Sequence, residues 1–140
     1  MPVTAKKDKL AFVINTASYE RVSFALGLAA AAAATGKDVR VLFGHSGVMR
    51  LREGCVDQLG EETESWVRGQ VKWGIGTGRL ALITELLDAL TKLGSKVYAC
   101  PTALELHQIK PEQLVKEVDE VRSLVTFVND DMKDASTLYV

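Results

Sequence analysis

Cys100 is the residue in this chain best placed to do chemistry. It follows the short apolar run Val97-Tyr98-Ala99 and precedes Pro101, a residue suited to the first position of a helix. A helix opening there leaves the backbone N–H groups of Thr102 and Ala103 without helical acceptors, pointing back toward the sulfur. The positive end of a helix favours a thiolate over a thiol, and the thiolate is the form that attacks a disulfide or a sulfane sulfur. The competing reading is an inert, buried cysteine that closes a strand. The other cysteine, Cys55, lies in Arg52-Glu53-Gly54-Cys55-Val56 and reads as an incidental loop thiol rather than a resolving partner. No Cys-x-x-Cys pair occurs, so neither a thioredoxin site nor a zinc knuckle is supported.

The two histidines divide in the same way. His45 can hydrogen-bond an anionic ligand or tune Cys100, an activated-nucleophile arrangement; a loop histidine facing solvent is the alternative. His107 falls at the end of the helix after Cys100, where a cation suits the dipole. Two histidines without an acidic cluster make no metal site. Gly74-Ile75-Gly76-Thr77-Gly78-Arg79 only superficially resembles a phosphate loop, because it lacks the Gly-x-x-x-x-Gly-Lys-Ser/Thr pattern and follows no convincing strand. It reads as a hinge, and no cofactor is expected.

These residues need elements to position them. Leu10 to Ile14 is a continuous apolar run typical of a strand buried on both faces. A helix follows from about Tyr19 to Thr35, with Ser18 as its cap and Gly36 as its left-handed stop. Val39 to Phe43 is the next strand, completing a βαβ unit. The same grammar recurs as a helix over Arg79–Leu93, whose Leu80, Ile83, Leu87 and Leu90 form an apolar stripe, and a strand over Val97–Ala99. Beyond Cys100, the pattern predicts a helix from Pro101 to about His107 and a turn from Pro111 to Lys116. A short strand over Val118–Val121, a helix from Ser123 to about Lys133 and a last strand over Thr137–Val140 follow. Residues 52–78 carry both tryptophans, Trp66 and Trp73, with a helix expected over Glu61–Lys72; they read as an excursion that is either a lid or a subunit contact. In an open parallel sheet, ligands bind outside the carboxyl ends of the strands. That rule gathers Asn15, Thr16 and Ser18, then His45, then Cys100, Thr102 and Ala103 on one sheet edge.

Composition bounds the rest. The chain has 140 residues, a net charge of −1, 47% hydrophobic and 25% charged residues. One domain over residues 1–140 fits this length. The balanced charge argues against non-specific nucleic-acid binding, and the composition against wholesale disorder. The longest apolar stretch, Phe24 to Ala34, is well short of the ~18 residues needed to span a bilayer. Lys6, Lys7 and Lys9 precede an apolar run too short for a leader peptide. A cytoplasmic location is the expectation.

Taken together, Lys9 to Ser18, the alanine-rich helix with Gly36-Lys37-Asp38-Val39, the segment Leu93 to Ala103 and the closing Leu138-Tyr139-Val140 make the chain similar to the DsrE/DsrF-like family of small sulfur-handling proteins. The resemblance covers nearly the whole length. It implies a three-layer α/β/α domain with a mostly parallel sheet of about five strands, assembled as a trimer or hexamer. It also implies that Cys100 accepts sulfane sulfur as a persulfide or thiosulfonate, passing it between a donor and an acceptor. Family members often have a serine where this chain has Ala103, and a glycine where it has Gln108. The leading expectation is a sulfur carrier using Cys100, with Asn15, Thr16, Ser18, His45, Thr102 and Ala103 around the sulfur. The alternative is a non-catalytic oligomeric module binding a small anion or nucleotide. A flavodoxin-like redox protein is a weaker third reading, since Asn15 to Ser18 only partly matches a phosphate-binding loop.

Overall fold

The computed structural model describes residues 7–140. Lys6, with which the comparison to a leader peptide starts, lies outside the described residues. Five strands form one sheet: β1 (Lys9–Ile14), β2 (Asp38–Phe43), β3 (Lys96–Ala99), β4 (Glu120–Val121) and β5 (Ala135–Tyr139). Their spatial order is β4-β3-β2-β1-β5, and every neighbouring pair is parallel. The expected α/β sheet is therefore present.

Register puts Ile14 beside Phe43 and Phe43 beside Ala99, so all three share one face with Phe12, Val41 and Val97, two residues earlier. All six are buried. Right-handed crossovers place the connections that step from β1 out to β4 on one face, and the returning connection on the other. The first face carries α1 (Tyr19–Ala34) and α3 (Ile83–Lys92), which pack on each other. Ser18 caps α1 by accepting the Arg21 N–H, and Gly36 ends it at φ 90°. Buried Leu26, Ala29, Ile83, Leu87 and Leu90 belong to the core cluster.

The opposite face is held by charge. Asp131, fully buried, accepts hydrogen bonds from Arg40 at 2.9 Å and from Arg122 at 2.8 Å. Phe127 meets Tyr98 edge-to-face at 6.2 Å. Both groups sit on the segment after β4, where the chain departs from expectation. Ser123 caps a helix, but α5 (Leu124–Thr126) gives way to a π-turn over Phe127–Asp131, closed by the Met132 N–H on the Phe127 carbonyl. The wider turn accompanies Phe127 and Asp131 both being buried.

Other boundaries move for identifiable reasons. The helix expected from Arg79 begins only at Ile83. The Arg79 and Leu80 N–H groups both donate to the Gly74 carbonyl and so close the preceding helix, α2 (Ser65–Gly76). Gly74 is not a hinge: it lies in α2, and a Cβ there would meet the Leu80 Cβ at 3.1 Å. The helix expected over Glu61–Lys72 starts four residues later because Glu62 and Thr63 are bonded elsewhere, Glu62 to Arg50 and Thr63 to the Tyr19 N–H. The strand β4 is short because the Asp119 carboxylate, rather than a strand carbonyl, accepts the Val97 N–H. Pro111–Gln113 form one 3₁₀ turn of the longer turn expected, and a further 3₁₀ segment, His45–Leu51, had no expectation. The last strand starts two residues early, at Ala135. Among the described residues, no helix is long and apolar enough to cross a membrane.

Candidate functional site

The backbone ladder continues one step past the strands. The Gly44 N–H donates to the Ile14 carbonyl, the Cys100 N–H to Phe43, and the Arg122 N–H to Ala99. Asn15, Gly44, Cys100 and Arg122 therefore stand in one row across the carboxyl edge. The chain leaves β3 toward one face and β4 toward the other, so the crevice of this open sheet falls between those two strands. Cys100 ends one wall of it.

Cys100 is the N-cap of α4 (Pro101–Leu106), with φ −74° and ψ 127°. Proline in the first turn removes one N–H that would have no helical partner. The first bond across that turn is the Leu104 N–H to the Cys100 carbonyl at 3.1 Å, so the Thr102 and Ala103 N–H groups precede it. The Cys100 side chain makes no capping bond, and the residue is 5% exposed. Thr102 is exposed and Ala103 is buried. A donor molecule reaching Cys100 meets a nearly covered sulfur at a helix start of only six residues.

The other expected site residues divide into two groups. His45 follows Gly44, the row neighbour of Cys100. It is exposed, adopts a left-handed φ of 43°, and its side chain bonds to no described residue. Asn15, Thr16 and Ser18 lie two strands away, about 10 Å across the sheet. Each is engaged locally. The Asn15 side chain donates to the Tyr139 hydroxyl at 2.6 Å, Thr16 accepts the Ser18 N–H at 3.1 Å, and Ser18 caps α1. Strand order thus puts Gly44, the residue before His45, beside Cys100 and leaves the β1 residues on the same edge two strands away; Thr102 and Ala103 follow Cys100 in the chain. His107 caps α4 by its backbone N–H on the Ala103 carbonyl. Among the described residues, no cluster of three metal-ligating side chains occurs.

Sequence reasoning missed Arg122 and Tyr139. Arg122 is the row neighbour of Cys100 on the other side, but its guanidinium is not free. It bonds Glu120 and Asp131 and lies 4.2 Å over the Tyr98 ring. Glu120 first and Asp131 second hold it even more firmly protonated than usual. Burial, with the Asp131 charge, pushes the Tyr98 phenol up to about 12. No local pattern marks Arg122, because its partner Asp131 is nine residues on. Tyr139 was legible only as a strand residue.

The pattern of strands agrees with a match found across the chain. The family model described as the DsrE/DsrF-like family matches residues 8–134. The chain belongs to this family. In structure it is similar to the YchN protein of E. coli, with a TM-score of 0.70 and 22% identity over 95% of this chain and 99% of that one. It is also similar to MTH1491 of Methanobacterium thermoautotrophicum, a protein of unknown function, with a TM-score of 0.64 and 19% identity over 96% and 100%. No curated protein matches the chain. Membership in the DsrE/DsrF-like family is consistent with the parallel five-stranded sheet, and the residues that carry any activity must be argued from this chain's own geometry.

Proposed function

We propose that this DsrE/DsrF-like protein is a sulfur carrier of a sulfur-relay type, using Cys100 alone as the acceptor. The observation that supports it most is the position of Cys100, at the carboxyl end of β3 beside the crevice and at the first turn of α4, with its sulfur free of any capping bond. The thiolate attacks a sulfane sulfur of the donor, the terminal one of thiosulfate or polysulfide and an inner one of tetrathionate. One S–S bond forms to Cys100 and the donor's S–S bond breaks. The electron pair leaves on sulfite if the donor is thiosulfate, on thiosulfate if it is tetrathionate, and on a shorter chain if it is polysulfide. The product is a persulfide, or a thiosulfonate with tetrathionate. The Thr102 and Ala103 N–H groups stabilise its negative charge, and His45 meets the anionic donor at the rim. Burial of Cys100 keeps the bound sulfur from adventitious thiols until an acceptor arrives. Cytoplasmic residence and self-assembly, as trimers or hexamers, belong to this reading.

Peptide mapping tests it. Reduced protein is treated with polysulfide, then alkylated and digested. The Cys100 peptide is expected to carry the alkyl group on an added sulfur. An unmodified Cys100 peptide beside a modified Cys55 peptide would overturn the reading and leave the anion-binding module.

A further inference from the structure

Gly27 sits in the middle of α1 without a backbone reason. It is helical, and glycine destabilises a helix interior relative to alanine, the residue that fills positions 29–34. No packing demands it either: a Cβ there would meet nothing within 4 Å. Over Gly27 lies an open groove of about 830 Å³ between α1 and α2, a volume usual for small-molecule sites. Phe24, Leu28, Trp66 and Leu80 are among its walls.

Two polar features make the groove more than an apolar face. Ser23, one turn before Gly27, is only 5% exposed and lines the groove, and its hydroxyl bonds to no described residue. A buried hydroxyl without a partner is costly, and a ligand N–H would satisfy it. Trp66 is 68% exposed, yet its ring is held. Its indole N–H donates to Glu64 at 2.5 Å, and Glu64 faces Arg21 at 3.7 Å.

The charge of the rim selects the ligand. Glu20, Arg21 and Glu64 line it, two carboxylates against one guanidinium. Glu64 is taken up by Arg21 and the indole, whereas Glu20 pairs with no described residue. One negative charge is therefore left uncompensated. Ser23 lies past the first turn of α1, where the helix dipole has faded. The faces of Phe24 and Trp66 attract a cation as well.

We propose that this groove binds a small organic cation, a protonated amine on an aromatic body. The ring lies over Gly27 between Phe24 and Trp66, and the ammonium donates to Ser23 and faces Glu20. Ser23 and Gly27 are about 6 Å apart along the helix axis, a span that a two-carbon arm covers. The site does not involve Cys100 and stands whether or not Cys100 carries sulfur.

Trp66 lines the groove, so its emission reports on occupancy. Phenethylamine is titrated into wild type, Glu20→Gln and Gly27→Leu, with hydrocinnamate as the anion of similar shape and circular dichroism to confirm the fold. The wild type is expected to give a saturable change with the amine and to bind the anion about tenfold more weakly or not at all. Glu20→Gln is expected to weaken the amine about threefold. Gly27→Leu, whose side chain fills the groove, is expected to abolish binding. If Gly27→Leu fails to fold, wild-type amide shifts on adding the amine decide, expected over residues 23–28 and at Trp66. No saturable response, as from a groove covered by a second copy, overturns the proposal. So does equal binding of the anion, unchanged affinity in Glu20→Gln, an undiminished response in folded Gly27→Leu, or amide shifts confined to other elements.

Discussion

Arg50 and Cys100 are both buried, yet the guanidinium of one is bonded through all three nitrogens while the sulfur of the other makes no capping bond. Arg50 donates to the carbonyls of Ala17, Val56 and Gln58 and to Glu62, and lies 5.1 Å over the Tyr19 ring. Around it, Tyr19 bonds Asp57 and the Ile83 N–H, and Asp57 bonds Thr84. These bonds tie residues 52–64 to the starts of α1 and α3. The first half of the excursion, residues 52–64, is therefore anchored. A saturated buried network confers rigidity and leaves nothing over for a ligand. At the carboxyl edge the reverse holds. Cys100 also lies in the buried core, but its side chain makes no capping bond.

The sharpest way to break this contrast is Arg50→Met. It leaves the buried Ala17 and Val56 carbonyls, the half-buried Gln58 carbonyl and the partly exposed Glu62 charge without their partner, and is expected to cost about 2–4 kcal/mol. Urea unfolding measures it; a loss below 1 kcal/mol would show that the network is dispensable.

Acid tests the same region more gently. The carboxyl of Glu62 sits below its ordinary value. Burial pushes it up, but the Gly60 N–H, its own N–H and the Arg50 guanidinium together pull it further down. A lowered folded value means that stability from Glu62 is fully present above its unfolded value. That stability is lost as pH falls through the folded value. The urea midpoint is therefore expected to drop in acid below about 4.5, and Glu62→Gln to show a shallower drop. Equal slopes would remove Glu62 from the account.

The smallest effect is expected at the other region. Cys100→Ala removes one small group, costing about 1 kcal/mol or less by the same unfolding measurement. A loss as large as that of Arg50→Met would make Cys100 a structural residue.

Much of this contrast could be read from the chain. The run Leu10–Ile14, the Ser18 cap, the Gly36 stop and the Cys100-Pro101 junction rest on local rules, and each stands where those rules put it. What escaped depends on groups far apart in sequence. Arg50 reads as one more surface cation until Ala17 and Glu62 fold around it. The π-turn at Phe127 coincides with Asp131 meeting Arg40, ninety-one residues away. In the candidate site, the sheet edge carrying Cys100, with His45 one residue past its row neighbour Gly44, was legible from strand ends. The distance of Asn15, Thr16 and Ser18 from Cys100 was not, because only strand order sets it. Gln108 adopts a left-handed φ of 53°, a conformation that no local pattern in the sequence marks.

The central claim is that one thiol, Cys100, takes up sulfane sulfur. Intact-mass measurement of reduced wild type, Cys55→Ala and Cys100→Ala after thiosulfate, tetrathionate or polysulfide tests it most directly. The account predicts one sulfur-containing adduct on the wild type and on Cys55→Ala, none on Cys100→Ala, and reversal by a reductant. An adduct that survives Cys100→Ala, or no adduct on any of the three, would contradict it.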